Sequence, residues 1–121
     1  MSKILIVDDS PTQLYSLRQI VEGGGHQTLT AASGEQALEL AADENPAVIL
    51  MDIVMPGMSG YQAKRKLAQD ETTAHIPVIF VSTRGEETDQ IWGMRQGATA
   101  YVTKPVKPEV LLSAISAAVA A

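Results

Sequence analysis

The sequence predicts an open, doubly wound α/β sheet of five parallel strands, each followed by a helix, in one domain. Short β-branched runs alternate five times with longer segments of helical period, the mark of repeated strand–helix units. Three of the runs, Ile4 to Val7, Val48 to Met51 and Val78 to Val81, are continuously apolar, as parallel strands covered on both faces require. At 121 residues the chain has the length of a single domain. A chain of that size buries roughly two thirds of its unfolded surface, enough for a core without staples.

The elements follow in order. After the strand Ile4 to Val7, Ser10-Pro11-Thr12-Gln13 offers an N-cap, a proline at the first helical position and a capping-box glutamine. Leu14, Leu17 and Val21 form the apolar stripe of this helix, and Gly23-Gly24-Gly25 ends it. The second strand is Thr28 to Ala31. Its helix opens on Ser33 and Gln36, uses Ala37, Leu38 and Ala41, and stops before Asn45-Pro46. Val48 to Met51 leads to a third helix from about Ser59 to Gln69, carrying Tyr61, Ala63 and Leu67, with Lys64-Arg65-Lys66 read as a solvated basic face. Val78 to Val81 leads to a fourth, from about Glu86 to Gln96. Its interior Gly93 costs about 1 kcal/mol against alanine, and Trp92 reads as core packing. The fifth strand, Ala100 to Thr103, precedes a helix that starts at Lys107-Pro108-Glu109 and buries Leu111, Ile115 and Val119.

Composition removes several functions. There is no cysteine, which excludes disulfides and thiolate metal sites and suits a reducing, cytoplasmic compartment. A net charge of -5 argues against a nucleic-acid surface, which needs a basic stripe. No segment approaches the roughly 20 apolar residues of a membrane span, so no membrane association is expected. Met1-Ser2-Lys3 runs directly into a strand, leaving no room for a signal peptide, and no second domain is legible. Output is therefore expected to pass through protein contacts.

In such sheets ligands sit outside the carboxyl ends of the strands, where the strand order reverses. Asp8 and Asp9, Asp52, Ser82 and Lys104 each follow a strand and fall on that edge. Three carboxylates there repel one another, and a single lysine cannot neutralise them, so unless their pKa values rise the site calls for a cation. Oxygen ligands with no cysteine or histidine on that edge favour Mg²⁺ or Mn²⁺ over zinc. One carboxylate can then act as a nucleophile toward phosphorus, with the metal and Lys104 offsetting charge on the phosphoryl oxygens. Asp52, on the middle strand, is the best placed. Ser82 can donate a hydrogen bond to the new phosphoryl group and pass the change to the backbone behind it. His26 and His75 precede strands and fall on the opposite edge.

The motifs Val7-Asp8-Asp9-Ser10, Met51-Asp52-Ile53-Val54-Met55-Pro56-Gly57-Met58-Ser59-Gly60, Val81-Ser82-Thr83 and Lys104-Pro105 resemble those of response-regulator receiver domains of two-component systems. The resemblance extends over residues 1–121 and is nearest to stand-alone receivers of chemotaxis-like and twitching-motility-like pathways. It implies the flavodoxin-like receiver fold, Asp52 as phosphoacceptor, and Mg²⁺ held by Asp9, Asp52 and the backbone carbonyl of Val54, with Asp8 acting through water. It further implies Ser82 and Tyr101 as switch residues and a cis Lys104-Pro105 bond. Val54 and Arg84 fall where such proteins tune phosphoryl lifetime, and Thr83 is bulkier than the residue common there. The implied partners are a histidine kinase and a downstream protein target, met by a monomer or by a weak dimer on phosphorylation. No enzymatic activity is implied beyond assistance to the chain's own phosphorylation and dephosphorylation.

Three other functions compete. A phosphohydrolase with an aspartyl-phosphate intermediate typically has its nucleophile after the first strand and a second Asp two residues on. Here Val54 follows Asp52 at that spacing, and Asp8-Asp9 are adjacent. A flavin carrier needs a hydroxyl-rich phosphate loop after the first strand, where this chain has two acids. A phosphate sink or constitutive adaptor has the same chemistry as the switch and stays open. Gly57 and Gly60 read as turn and helix-entry residues, and Met51, Met55 and Met58 as packing.

Overall fold

The computed structural model describes residues 2–120. Strands β1 (Lys3–Val7), β2 (Gln27–Ala31), β3 (Val48–Met51), β4 (Val78–Ser82) and β5 (Ala100–Thr103) alternate with helices α1 (Pro11–Gly23), α2 (Gly34–Glu44), α3 (Gly60–Gln69), α4 (Glu87–Arg95) and α5 (Pro108–Ala120). All strand pairs are parallel and lie in the order β2-β1-β3-β4-β5. The order reverses at β1, so the β1–β3 edge is the switch point. This is the single-domain, doubly wound sheet the alternation predicts.

Strand period two sorts the core into two layers. Leu5, Val7, Ile49, Met51, Val78 and Phe80 face α2 and α3, meeting Ala37, Ala41, Ala63 and Leu67. Ile4, Ile6, Val48, Leu50, Ile79, Val81 and Val102 face α1 and α5, meeting Leu17, Val21, Leu111 and Ile115.

Helix starts follow the sequence signals. The Ser10, Ser33 and Ser59 hydroxyls accept from the N–H groups of Gln13, Gln36 and Gln62. Only Ser59–Gln62 closes a full capping box. Gln36 reaches one residue further back and accepts from Ala32 N–H instead.

Three expectations are corrected. Lys64 is buried, because Gly60, Ala63, Lys64 and Leu67 share one helical stripe. Its stem packs inward and carries the ammonium toward Gly97, just beyond α4, within 3.4 Å of where a Cβ there would stand. Trp92 is 50 % exposed, set edge-on to Tyr61 at 6.4 Å. In α5 the stripe continues to Ala118, seven residues after Leu111, which leaves Val119 exposed.

Candidate functional site

Strand register assembles the cleft. Val7 lies beside Met51, so the next residues, Asp8 and Asp52, emerge side by side. The Asp52 N–H donates to Val7 C=O at 2.9 Å, and the Asp8 N–H donates to Ala31 C=O at 3.1 Å. On the other flank Ser82 pairs with Thr103, and Lys104 N–H donates to Ser82 C=O at 2.8 Å. The ends of β1, β3, β4 and β5 thus deliver every polar group read from the sequence to one crevice. The Lys104–Pro105 bond is cis.

Carboxylate oxygens of Asp8, Asp9 and Asp52 can lie within 4.8 Å of one another. Asp8 is 1 % exposed, whereas Asp9 is open to solvent. Lys104 Nζ donates to Asp8 Oδ2 at 2.8 Å and stands 3.6 Å from Asp52 Oδ2. The other Asp8 oxygen accepts from Ser10 N–H at 3.0 Å, and Asp52 Oδ1 accepts from Ile53 N–H at 2.8 Å. Three acids face one ammonium. The acids are hard oxygen donors, two of them buried, and that composition fits a divalent cation of the magnesium type. Val54, two residues after Asp52, is 56 % exposed at the mouth.

Burial pushes the Asp52 carboxyl above the ordinary carboxylate range; Lys104 opposes the shift and Asp8 adds to it. A raised folded-state value means stability that is full below the unfolded value, near 4, and is lost as pH rises through the folded one. The metal-free chain at neutral pH therefore carries Asp52 as a liability. Asp52→Asn is expected to raise the melting temperature in EDTA at pH 7 by roughly 3 to 5 °C. That gain should shrink as pH falls toward about 4; melts of both proteins across pH check it.

Ser82 is fully buried at the end of β4, and its Oγ accepts from Arg84 N–H at 3.1 Å. Tyr101, half-buried on β5, donates its hydroxyl to Arg84 C=O at 2.6 Å. Both switch candidates therefore hold the same residue of the β4–α4 loop. The Arg84 guanidinium itself points to Asp89 of α4, 4.0 Å away. Sequence reasoning weighed the Arg84 side chain, but it is the Arg84 backbone that these groups grip. Gly60, read from the sequence as a helix-entry residue, is the first residue of α3, and a Cβ there would also overlap the Asp52 carbonyl oxygen and stand 2.9 Å from Ile53 Cα. That close approach arises where the β3–α3 connection folds back on itself, with Gly60 N–H donating to Ile53 C=O at 2.8 Å, so residue type alone does not announce it.

The chain matches the response regulator receiver domain family over residues 4–116. It is 54 % identical over 120 residues to protein PilH of Pseudomonas aeruginosa, covering 99 % of both chains. The receiver domain protein of Clostridium thermocellum has a similar structure, with a TM-score of 0.90 at 31 % identity, over 99 % of this chain and 95 % of that one. So has the receiver domain of the sensor histidine kinase PA1611 of P. aeruginosa PAO1. That structure holds a magnesium ion in its active site cleft; its TM-score is 0.91 at 25 % identity, over 99 % and 98 % of the two chains. With a match spanning nearly its whole length, the chain belongs to the response regulator receiver domains of two-component signalling.

Proposed function

We propose that the chain is a phosphorylation-dependent signalling switch in which Asp52 accepts a phosphoryl group from the phosphohistidine of a histidine kinase. The observation that carries this reading is the pairing of a buried carboxylate with Lys104 at 3.6 Å, inside a cluster of three acids. Mg²⁺, or Mn²⁺ in its place, would be held by Asp8, Asp9, Asp52 and the Val54 carbonyl, and when bound it supplies positive charge for the phosphoryl oxygens. An Asp52 oxygen forms the bond to phosphorus, the phosphorus–nitrogen bond breaks, and the leaving imidazole takes a proton from solvent. The Ile53 N–H orients the Asp52 carboxylate, and Lys104 balances charge gathering on the transferred group.

Readout runs through Ser82 and Tyr101. A phosphoryl group on Asp52 competes for the Ser82 hydroxyl, which now accepts from Arg84 N–H, and the β4–α4 loop responds. The face of α4, β5 and α5 then meets a downstream protein. The chain acts as one receiver domain over residues 1–121, a monomer or on phosphorylation a weak dimer, in the cytoplasm, in a chemotaxis-like or motility pathway. It makes no use of nucleic acid or membrane; among the described residues no helix is long and apolar enough to cross one. It turns over no separate substrate and assists only its own phosphorylation and dephosphorylation.

One observation favours a second reading, that of a phosphate sink or constitutive adaptor. Tyr101 already reaches Arg84 in the unmodified chain, so its part of the face is set beforehand. Incubation with acetyl phosphate and Mg²⁺ should add the mass of one phosphoryl group to the wild type and none to Asp52→Asn. No gain on the wild type, or an equal gain on both, ends the switch reading. Partner capture that ignores beryllofluoride would transfer support to the adaptor.

A further inference from the structure

A glycine in the middle of α4 weakens the helix, and the fold shows what occupies the space it leaves. A Cβ built on Gly93 would stand 2.7 Å from Cδ2 and 2.9 Å from Cε2 of Tyr101, and 3.4 Å from Cδ2 of Phe80. Contacts below about 3 Å force a neighbour to move, and the neighbour here is a ring, not the free end of a flexible chain. Neighbouring rings hold it as well. Phe80 meets Tyr101 edge-on at 6.5 Å, and Tyr61 braces Phe80 at 5.3 Å. The inward ring places the Tyr101 hydroxyl on Arg84 C=O.

We propose that Gly93 is a positioning residue of the switch: its bare Cα seats the Tyr101 ring inward, so that the hydroxyl pins the Arg84 carbonyl and with it the β4–α4 loop. The consequence for signalling rests on the function proposed above, but the seat itself does not. Arg84 is gripped at both ends, its N–H by Ser82 and its C=O by Tyr101. Withdrawal of the Ser82 hydroxyl toward a phosphoryl group frees one end only. While Tyr101 stays seated, the loop pivots about the Arg84 carbonyl instead of detaching. Gly93 thus limits how far α4 follows the modification.

Two roles for Gly93 predict opposite outcomes. A mere spacer replaced by alanine, the better helix former, should raise the melting temperature. A seat should lower it, and the loss should vanish in a Tyr101→Ala background, where the methyl has room.

The experiment uses the full chain without phosphodonor. In Gly93→Ala, nuclear Overhauser contacts between the Tyr101 ring and residue 93 should disappear, and amide exchange at residues 84–86 should quicken. Tyr101→Phe should keep the ring contacts and quicken exchange alone. Phosphoramidate with Mg²⁺ should still modify Gly93→Ala at Asp52, while the amide shifts of α4 that follow modification change from those of wild type. Retained ring contacts in Gly93→Ala, or equal destabilisation in the wild-type and Tyr101→Ala backgrounds, overturns the proposal. If Gly93→Ala does not fold, recovery of folding in Gly93→Ala/Tyr101→Ala supports the seat, and failure to recover overturns it. A wild type that phosphoramidate cannot modify removes the switch reading and leaves the ring contacts as a separate result.

Discussion

Lys104→Met is expected to destabilise the metal-free protein by about 3 kcal/mol or more, lowering the melting temperature by roughly 10 °C. Asp8 is 1 % exposed and holds the Lys104 ammonium at 2.8 Å, so the substitution leaves a buried carboxylate without its cation. The methionine stem fills the space of the lysine stem, which confines the change to charge. Asp52, 3.6 Å from the same ammonium, loses that counter-charge, and repulsion between the two acids grows. Thermal melts in EDTA at pH 7 measure the loss. Two further results follow from the charge account. The deficit should narrow at low pH, where carboxylates take up protons, and millimolar Mg²⁺ should restore part of it by occupying the acids. A loss below about 1 kcal/mol, of the size of an exposed pair, would mean that the pair is solvated and the cleft open to water.

Gly60→Ala is expected to cost about 3 kcal/mol and to abolish modification of Asp52. The added methyl would overlap the Asp52 carbonyl oxygen, and Gly60 N–H donates to Ile53 C=O at 2.8 Å, so neither backbone can yield without breaking this bond. The first residue of α3 is thus packed directly behind the Asp52 peptide. A paired substitution isolates the cause. Gly23→Ala, at the end of α1, adds a methyl with nothing within 4 Å and should be neutral or slightly stabilising. Urea titration gives both energies, and phosphoramidate labelling gives the site's response. Equal effects from the two glycines would remove the steric account.

The fold was legible because both periods are explicit in the chain. Continuous apolar runs mark strands covered on both sides, and the Ser10, Ser33 and Ser59 caps mark where helices begin. Once β1 and β3 are neighbours, adjacency of Asp8 and Asp52 follows from register alone. What sequence reasoning missed depends on three-dimensional distance. Lys64 reads as part of a basic run, yet its position on the α3 stripe buries its stem. Trp92 reads as core, but α4 turns it half outward. In α5 a run of small and apolar residues from Ser113 to Val119 leaves the stripe ambiguous by one position, and Ala118 takes the place expected of Val119. Within the cleft, the sequence supplies three acids and a lysine but not their partition. Only the folded chain shows Lys104 nearer Asp8 than Asp52. Gly93 looks like a local weakness in the sequence and Gly60 like a plain helix entry, and each is explained by atoms outside its own helix.

The two-layered core has a consequence for how such a molecule diversifies. Odd-numbered β1 and β3 residues such as Leu5 and Ile49 pack with α2 and α3, and even-numbered neighbours such as Ile6 and Leu50 pack with α1 and α5. Side chains on opposite sides share no contacts, so substitutions in one layer should combine additively with those in the other. The layer under α2 and α3 contains Phe80 and, packed against it, Tyr101. A lineage can therefore vary one layer while the other holds the architecture constant. One barrel-free sheet, read on alternate residues, gives descendants two nearly independent surfaces on which to vary.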